Sequence, residues 1–60
     1  MRKITNDDLW SAIRGLGMYS MSANELVALT EDHSTNKLFA SQVIAAAAYQ
    51  VIAARRLVSP

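Results

Sequence analysis

The chain has 60 residues and no cysteine, and its six Lys or Arg residues nearly balance its five Asp or Glu residues. This length predicts one domain over residues 1–60, and such a domain buries only about 60% of the surface that its unfolded chain exposes. The absence of cysteine excludes disulfides and zinc-binding thiolates, so we expect stabilisation by oligomerisation and neither a metal nor a cofactor. The balanced charge favours a protein partner over nucleic acid.

The first predicted helix covers residues 6–16. Thr5 can cap it by accepting a hydrogen bond from the backbone N–H of Asp8, and Gly17 can end it in the left-handed conformation. An apolar stripe at helical spacing follows the cap: Leu9, Ile13 and Leu16. Trp10 adjoins this stripe and is interpreted as a core residue, with an interface anchor as the alternative.

A short apolar connection follows the first helix. Its methionines and tyrosine either close the end of a small core, which is the simpler interpretation, or contact a partner. The possible partner contacts are Trp10, Met18, Tyr19 and Met21.

The second predicted helix covers residues 22–32 and begins with a complete capping box of Ser22 and Glu25. Asp32, His33 and Ser34 after it are interpreted as a solvated turn. They are the residue types of a hydrolase triad, but chain neighbours point in different directions, so we predict no catalytic residue and no enzymatic activity.

The third predicted helix covers residues 36–57 and is apolar around most of its circumference. One seam of it follows alternating spacings of four and three: Ala40, Ile44, Ala47, Val51, Ala54 and Val58. This spacing predicts a homo-oligomer, with a dimer favoured, because small side chains let helix axes approach closely. The two short helices are expected to cover Phe39, Val43 and Leu57. The predicted fold is all-α, with three helices of which the third is longest.

Two alternatives to a protein-binding role concern the third helix. In a helix-turn-helix regulator, DNA contacts would fall on Ser34, Thr35, Asn36, Lys37 and Ser41. Nucleic acid is not favoured, because Lys37 is the only cation there and acidic residues precede it. In a small single-span membrane protein, residues 38–54 would cross the bilayer, but these 17 residues are at the lower limit of length and include Ser41, Gln42 and Gln50.

The opening Met-Arg-Lys-Ile-Thr-Asn-Asp-Asp-Leu-Trp and the alanine-rich helix after it resemble small early-region proteins of lambda-like temperate bacteriophages. The resemblance spans the whole chain. It implies a non-enzymatic accessory protein that modulates host physiology or phage development by binding host or phage proteins. No apolar stretch directly follows the first basic residues, so no secretory signal is predicted and we expect a cytoplasmic protein. The leading hypothesis is a small regulatory protein that docks an apolar helical face on a protein partner of unknown identity.

Overall fold

The computed structural model describes residues 3–58, and the side chains of residues 3–56. Within that part of the chain it has no strand, and its helices are α1 (Asn6–Leu16), a 3-10 turn (Met18–Ser20), α2 (Ala23–Ser34) and α3 (Phe39–Val58). The predicted all-α, three-helix fold is therefore confirmed. No helix in residues 3–58 is both long enough and apolar enough to cross a membrane.

Local capping explains where α1 begins and ends. The backbone N–H of Asp8 donates to Thr5 Oγ1 at 3.2 Å, and the Thr5 N–H donates to Asp8 Oδ2 at 3.0 Å, so the cap is a full capping box. Gly17 ends the helix at a φ of 63°, and its N–H bonds back to the carbonyls of Ile13 and Arg14. The left-handed conformation at this position favours glycine, which has no Cβ to strain.

The connection between α2 and α3 lies further along the chain than predicted. Asp32, His33 and Ser34 belong to the last turns of α2, so the prediction of a solvated turn there was wrong. In the last turn of α2 the hydroxyl of Ser34 donates to the carbonyl of Glu31 at 3.2 Å. α3 starts at Phe39 instead of residue 36 because Asn36 Oδ1 accepts the Leu38 N–H at 2.9 Å, which stabilises a local turn in competition with the helix.

α1 and α2 both pack against α3, which is the central element of the core. Six buried residues form one cluster: Ile13, Met18, Leu26, Ala47, Ala48 and Val51. The cluster thus draws on α1, the 3-10 turn, α2 and α3 together.

The core overturns the middle of the predicted oligomer seam. Ala47 is 0% exposed and Val51 is 3% exposed, so neither side chain is available to another chain. Side chains of α1, the 3-10 turn and α2 already cover them. Ala54 is exposed. The side chain of Val58, the last predicted member, lies outside the described residues.

An arginine clamp joins the end of α3 to the connection before α2. Arg55 Nη2 donates to the carbonyl of Met21 at 2.7 Å and to the carbonyl of Tyr19 at 3.2 Å. Arg55 lies in the last turn of α3, where its charge also suits the negative end of the helix dipole. Through these two hydrogen bonds, Arg55 also holds the 3-10 turn against α3.

Candidate functional site

An open apolar groove runs between α1 and the first turns of α3. Its volume is about 470 Å³. α1 lines one wall with Ala12, Gly15 and Leu16, and has Asp8 and Ser11 at the same surface. α3 lines the other wall and the floor.

The α1 wall combines a projecting side chain with a hollow. Leu16 is 45% exposed, although its place in the predicted apolar stripe indicated burial. Ala12 and Gly15 are small, and a Cβ built on Gly15 would have no neighbour within 4 Å. Substitution of Gly15 therefore meets free space in the single chain.

The α3 wall contains the first two residues of the predicted seam. Ala40 is exposed and Ile44 is half-buried, and both line the groove. Val43 is 8% exposed and forms the floor, beside the half-buried Phe39. The stripe of small and apolar residues on α3 is thus open at its start and closed where Ala47 and Val51 lie.

The groove is poor in polar groups. Among the described residues that line the groove, Asp8 alone has a titratable side chain, and its carboxylate accepts the Thr5 N–H in the α1 cap. A surface of this kind suits the apolar face of a helix, because it offers few partners for the hydrogen-bonding groups of a polar ligand.

An exposed aromatic pair lies on another face of the molecule. The rings of Trp10 and Tyr19 have centroids 6.2 Å apart and planes tilted by 48°. Trp10 is 47% exposed and Tyr19 is 60% exposed, so the interpretation of Trp10 as a core residue was wrong. Leu9 and Ile13 supply the α1 face that packs on the core, and Trp10 points away from it.

The two methionines of the predicted partner patch belong to the core instead. Met18 is 0% exposed and is a member of the buried cluster. Met21 is partly buried and packs against that cluster. Met18 is therefore not a partner contact, while Trp10 and Tyr19 stay accessible.

The residues predicted to contact DNA do not form one reading face. Ser41 is 7% exposed, and its Oγ lies 3.2 Å from His33 Nδ1, so its assignment as a DNA contact was wrong. Ser34 lies in α2 instead of at the start of α3. The remaining three, Thr35, Asn36 and Lys37, precede α3, so they are not part of its first turn.

Sequence reasoning missed the contribution of α1 to the groove. The predicted apolar stripe of α1 contains neither Ala12 nor Gly15, although both line the groove. The available signal was the spacing of Ala12 and Gly15, since residues three apart share a helix face. That signal does not show which neighbour this face lies against, which depends on how α1 crosses α3.

Other kinds of site receive little support from the described residues. Within residues 3–56 no group of three or more His, Asp or Glu side chains is placed to hold a metal ion. Comparisons with protein-family models, curated proteins and solved structures found no match. The fold and the groove define the chain as a small all-α domain with an open apolar surface between two helices, and its function is argued from that surface.

Proposed function

We propose that this protein is a small, non-enzymatic interaction domain that binds an apolar helical face of a protein partner in the groove between α1 and α3. The observation that carries the proposal is the groove itself, with Leu16, Ala40 and Ile44 accessible around a Val43 floor. Helices docked in such grooves use apolar anchors at positions i, i+3 or i+4, and i+7.

The dimensions of the groove agree with a short helical segment. Its α1 wall extends from Asp8 to Leu16, which at a rise of 1.5 Å per residue corresponds to about 12 Å, or roughly two helical turns. Two turns present about three anchor side chains on one face. The groove is therefore long enough for the core of a helix-in-groove contact.

The chemistry of the groove supports binding without catalysis. General acid–base catalysis requires positioned titratable groups, and Asp8 is already engaged in the α1 capping box. The resemblance to phage early-region proteins agrees with a binding role. On that resemblance we extend the proposal to a regulatory role in the cytoplasm of an infected host.

A photo-crosslinking experiment tests the proposal. Leu16 is replaced by a photoreactive aromatic amino acid, and a second variant carries the same replacement at Tyr49, which is 66% exposed and does not line the groove. In extracts of the source organism, we expect the Leu16 variant to form a discrete adduct with a foreign protein, suppressed by excess unmodified chain. Adducts of equal yield at both positions would contradict the proposal.

A charge substitution gives the matched test. The Ala40→Glu variant places a carboxylate in the groove, while its position in the first turn of α3 suits the helix dipole and preserves the fold. Ala23→Glu makes the same change at an exposed alanine in the first turn of α2. We expect Ala40→Glu alone to lower capture of the partner by at least about tenfold, equivalent to about 1.4 kcal/mol. Equal capture by the two variants would argue against the groove.

A further inference from the structure

We propose that the occupant of the groove in the free protein is a second copy of this chain, packed against the first about a two-fold axis. This inference rests on the proposed function, because it names the partner of the same groove. Four observations support it: the surface area of the single chain, its small core, the shape of the groove and the placement of charge.

The single chain exposes more surface than a monomer of its mass. Its accessible surface is 4542 Å². The surface–mass relation of folded monomers gives about 3,900 Å² for a mass of 6.6 kDa. The molecule is also elongated, at 38 × 22 × 18 Å, so pairing along a long side would give a more compact body.

The core of the single chain is small. Three of the eight buried hydrophobic residues in the described part of the chain are alanines: Ala45, Ala47 and Ala48. Alanine contributes little apolar area, so the core stabilises this short chain less than a leucine-rich core would. Domains of this size commonly gain stability by associating with a copy of themselves. A second copy is also present wherever the protein is made.

The groove carries both halves of a self-complementary contact. In a two-fold interface one patch meets itself, so it must hold projections as well as hollows. Leu16 projects with 45% of its surface exposed, and the adjoining Ala12 and Gly15 leave a hollow with free space around Gly15. An antiparallel pairing of two α1 helices would place Leu16 of each copy over the hollow of the other.

The charge distribution allows this pairing. Asp8 lies at one end of the α1 wall and Leu16 at the other. When Leu16 of each copy lies over Ala12 and Gly15 of the other, Asp8 of one copy lies past the Leu16 end of the second α1. The two carboxylates therefore do not face each other. Like charges placed directly opposite would oppose association.

Disulfide trapping tests where two copies meet. The chain contains no cysteine, so a single introduced cysteine can form only an intermolecular disulfide. We expect Gly15→Cys to give covalent dimers under mild oxidation at low protein concentration. Tyr49→Cys, on an exposed position outside the groove, is the control and should react at least about tenfold more slowly. Faster trapping at Tyr49 than at Gly15 would overturn the inference.

Sedimentation equilibrium tests association without a covalent bond. We expect the unmodified chain to be dimeric at micromolar concentrations, with a melting temperature that rises with concentration. Gly15→Lys keeps good helix propensity and meets free space in the single chain, so it should leave a folded monomer. Gly15→Ala is the matched control and should stay dimeric. A monomer over the whole concentration range, or a dimer unaffected by Gly15→Lys, would overturn the inference.

The two proposals fail in distinguishable ways. A monomeric chain whose partner capture still depends on Ala40 overturns the second-copy inference and leaves the proposed function standing. If Gly15→Lys dissociates the dimer but Ala40→Glu leaves capture of a foreign protein unchanged, the proposed function is overturned. The photo-adduct at Leu16 separates the occupants directly, because an adduct of twice the chain mass identifies a second copy.

Discussion

The first four positions of the apolar stripe on α3 follow one pattern but divide into two halves that differ in exposure. The covered half is Ala47 with Val51, which are 0% and 3% exposed. The open half is Ala40, which is exposed, with Ile44, which is half-buried in an open groove. An apolar repeat of alternating four and three residues therefore predicts that this face of α3 packs against another element. It does not predict whether that element belongs to the same chain or to another one.

The covered half differs from the open half in what lies over it. Ile13, Met18 and Leu26 share one buried cluster with Ala47 and Val51, so three separate segments meet there. At Ala40 the facing wall of the groove is α1, and the small side chains of Ala12 and Gly15 leave space between the two helices. Covering thus depends on the size of the side chains facing α3, more than on α3 itself.

The largest expected effect comes from a charge placed in the covered half. Ala47→Glu would bury a carboxylate without a partner, which costs several kcal/mol and exceeds what a domain of this size can lose. We expect it to be unfolded at 25 °C by circular dichroism. Ala54→Glu, at an exposed position of the same stripe, is the control and should shift stability by about 0.5 kcal/mol or less. A folded Ala47→Glu variant with unchanged melting temperature would show that Ala47 is not in the core.

The next effect comes from loosening the segment that covers this half. Arg55→Ala removes the two hydrogen bonds to the Tyr19 and Met21 carbonyls, which follow the buried Met18 in the chain. Hydrogen bonds from a charged donor contribute about 1.5–3 kcal/mol, and partial exposure of Arg55 places the expected loss near the lower figure. Urea unfolding measures the loss. Arg56→Ala removes the neighbouring exposed charge and is the control. An equal loss of unfolding free energy in that variant would show that the two Arg55 hydrogen bonds do not add to the stability.

The elements of the fold could be predicted where short-range spacing decides them. Thr5 with Asp8, and Ser22 with Glu25, mark helix starts because a capping residue and its partner are three positions apart. The start of α3 could not be predicted in this way. The amide side chain of Asn36 binds the Leu38 N–H and delays the helix, and its preference for a turn competes with helical propensity.

The site could be predicted only in part, for a similar reason. Ala40 and Ile44 stood out because they belong to a periodic seam on one helix. Trp10 was misplaced because helical spacing allows either flank of a stripe to be buried, and Leu9 with Ile13 takes the place against the core. The contributions of Ala12 and Gly15 depend on the crossing of α1 over α3, which no local pattern specifies.

A smaller effect is expected in the open half, from the two glycines at the end of α1. Gly15→Ala should stabilise the chain by about 0.5–1 kcal/mol, because alanine has the higher helix propensity and the new Cβ meets free space. Gly17→Ala should destabilise it, because Gly17 has a φ of 63° that strains any Cβ. Urea unfolding at a fixed protein concentration measures both. Changes of the same sign would contradict the assignment of Gly15 to a regular helical turn and of Gly17 to a left-handed cap.

The smallest effect concerns the cap of α2, the helix that brings Leu26 to the covered half. The backbone N–H of Ser22 donates to Glu25 Oε1 at 3.0 Å, and this bond, aided by the Ser22 hydroxyl, holds the pKa of Glu25 below its ordinary value of 4.5. Because the folded pKa is the lower one, the contribution of Glu25 to stability is present above pH 4.5 and is lost as the pH falls through the folded value. Glu25→Gln keeps a side chain that can complete the capping box but does not titrate. We therefore expect the stability advantage of the unmodified chain over this variant in urea unfolding to shrink on acidification from about pH 6 to about pH 3. The other carboxylates are the same in both proteins. A difference in unfolding free energy that stays constant between about pH 6 and about pH 3 would show that Glu25 does not contribute to the loss of stability in acid.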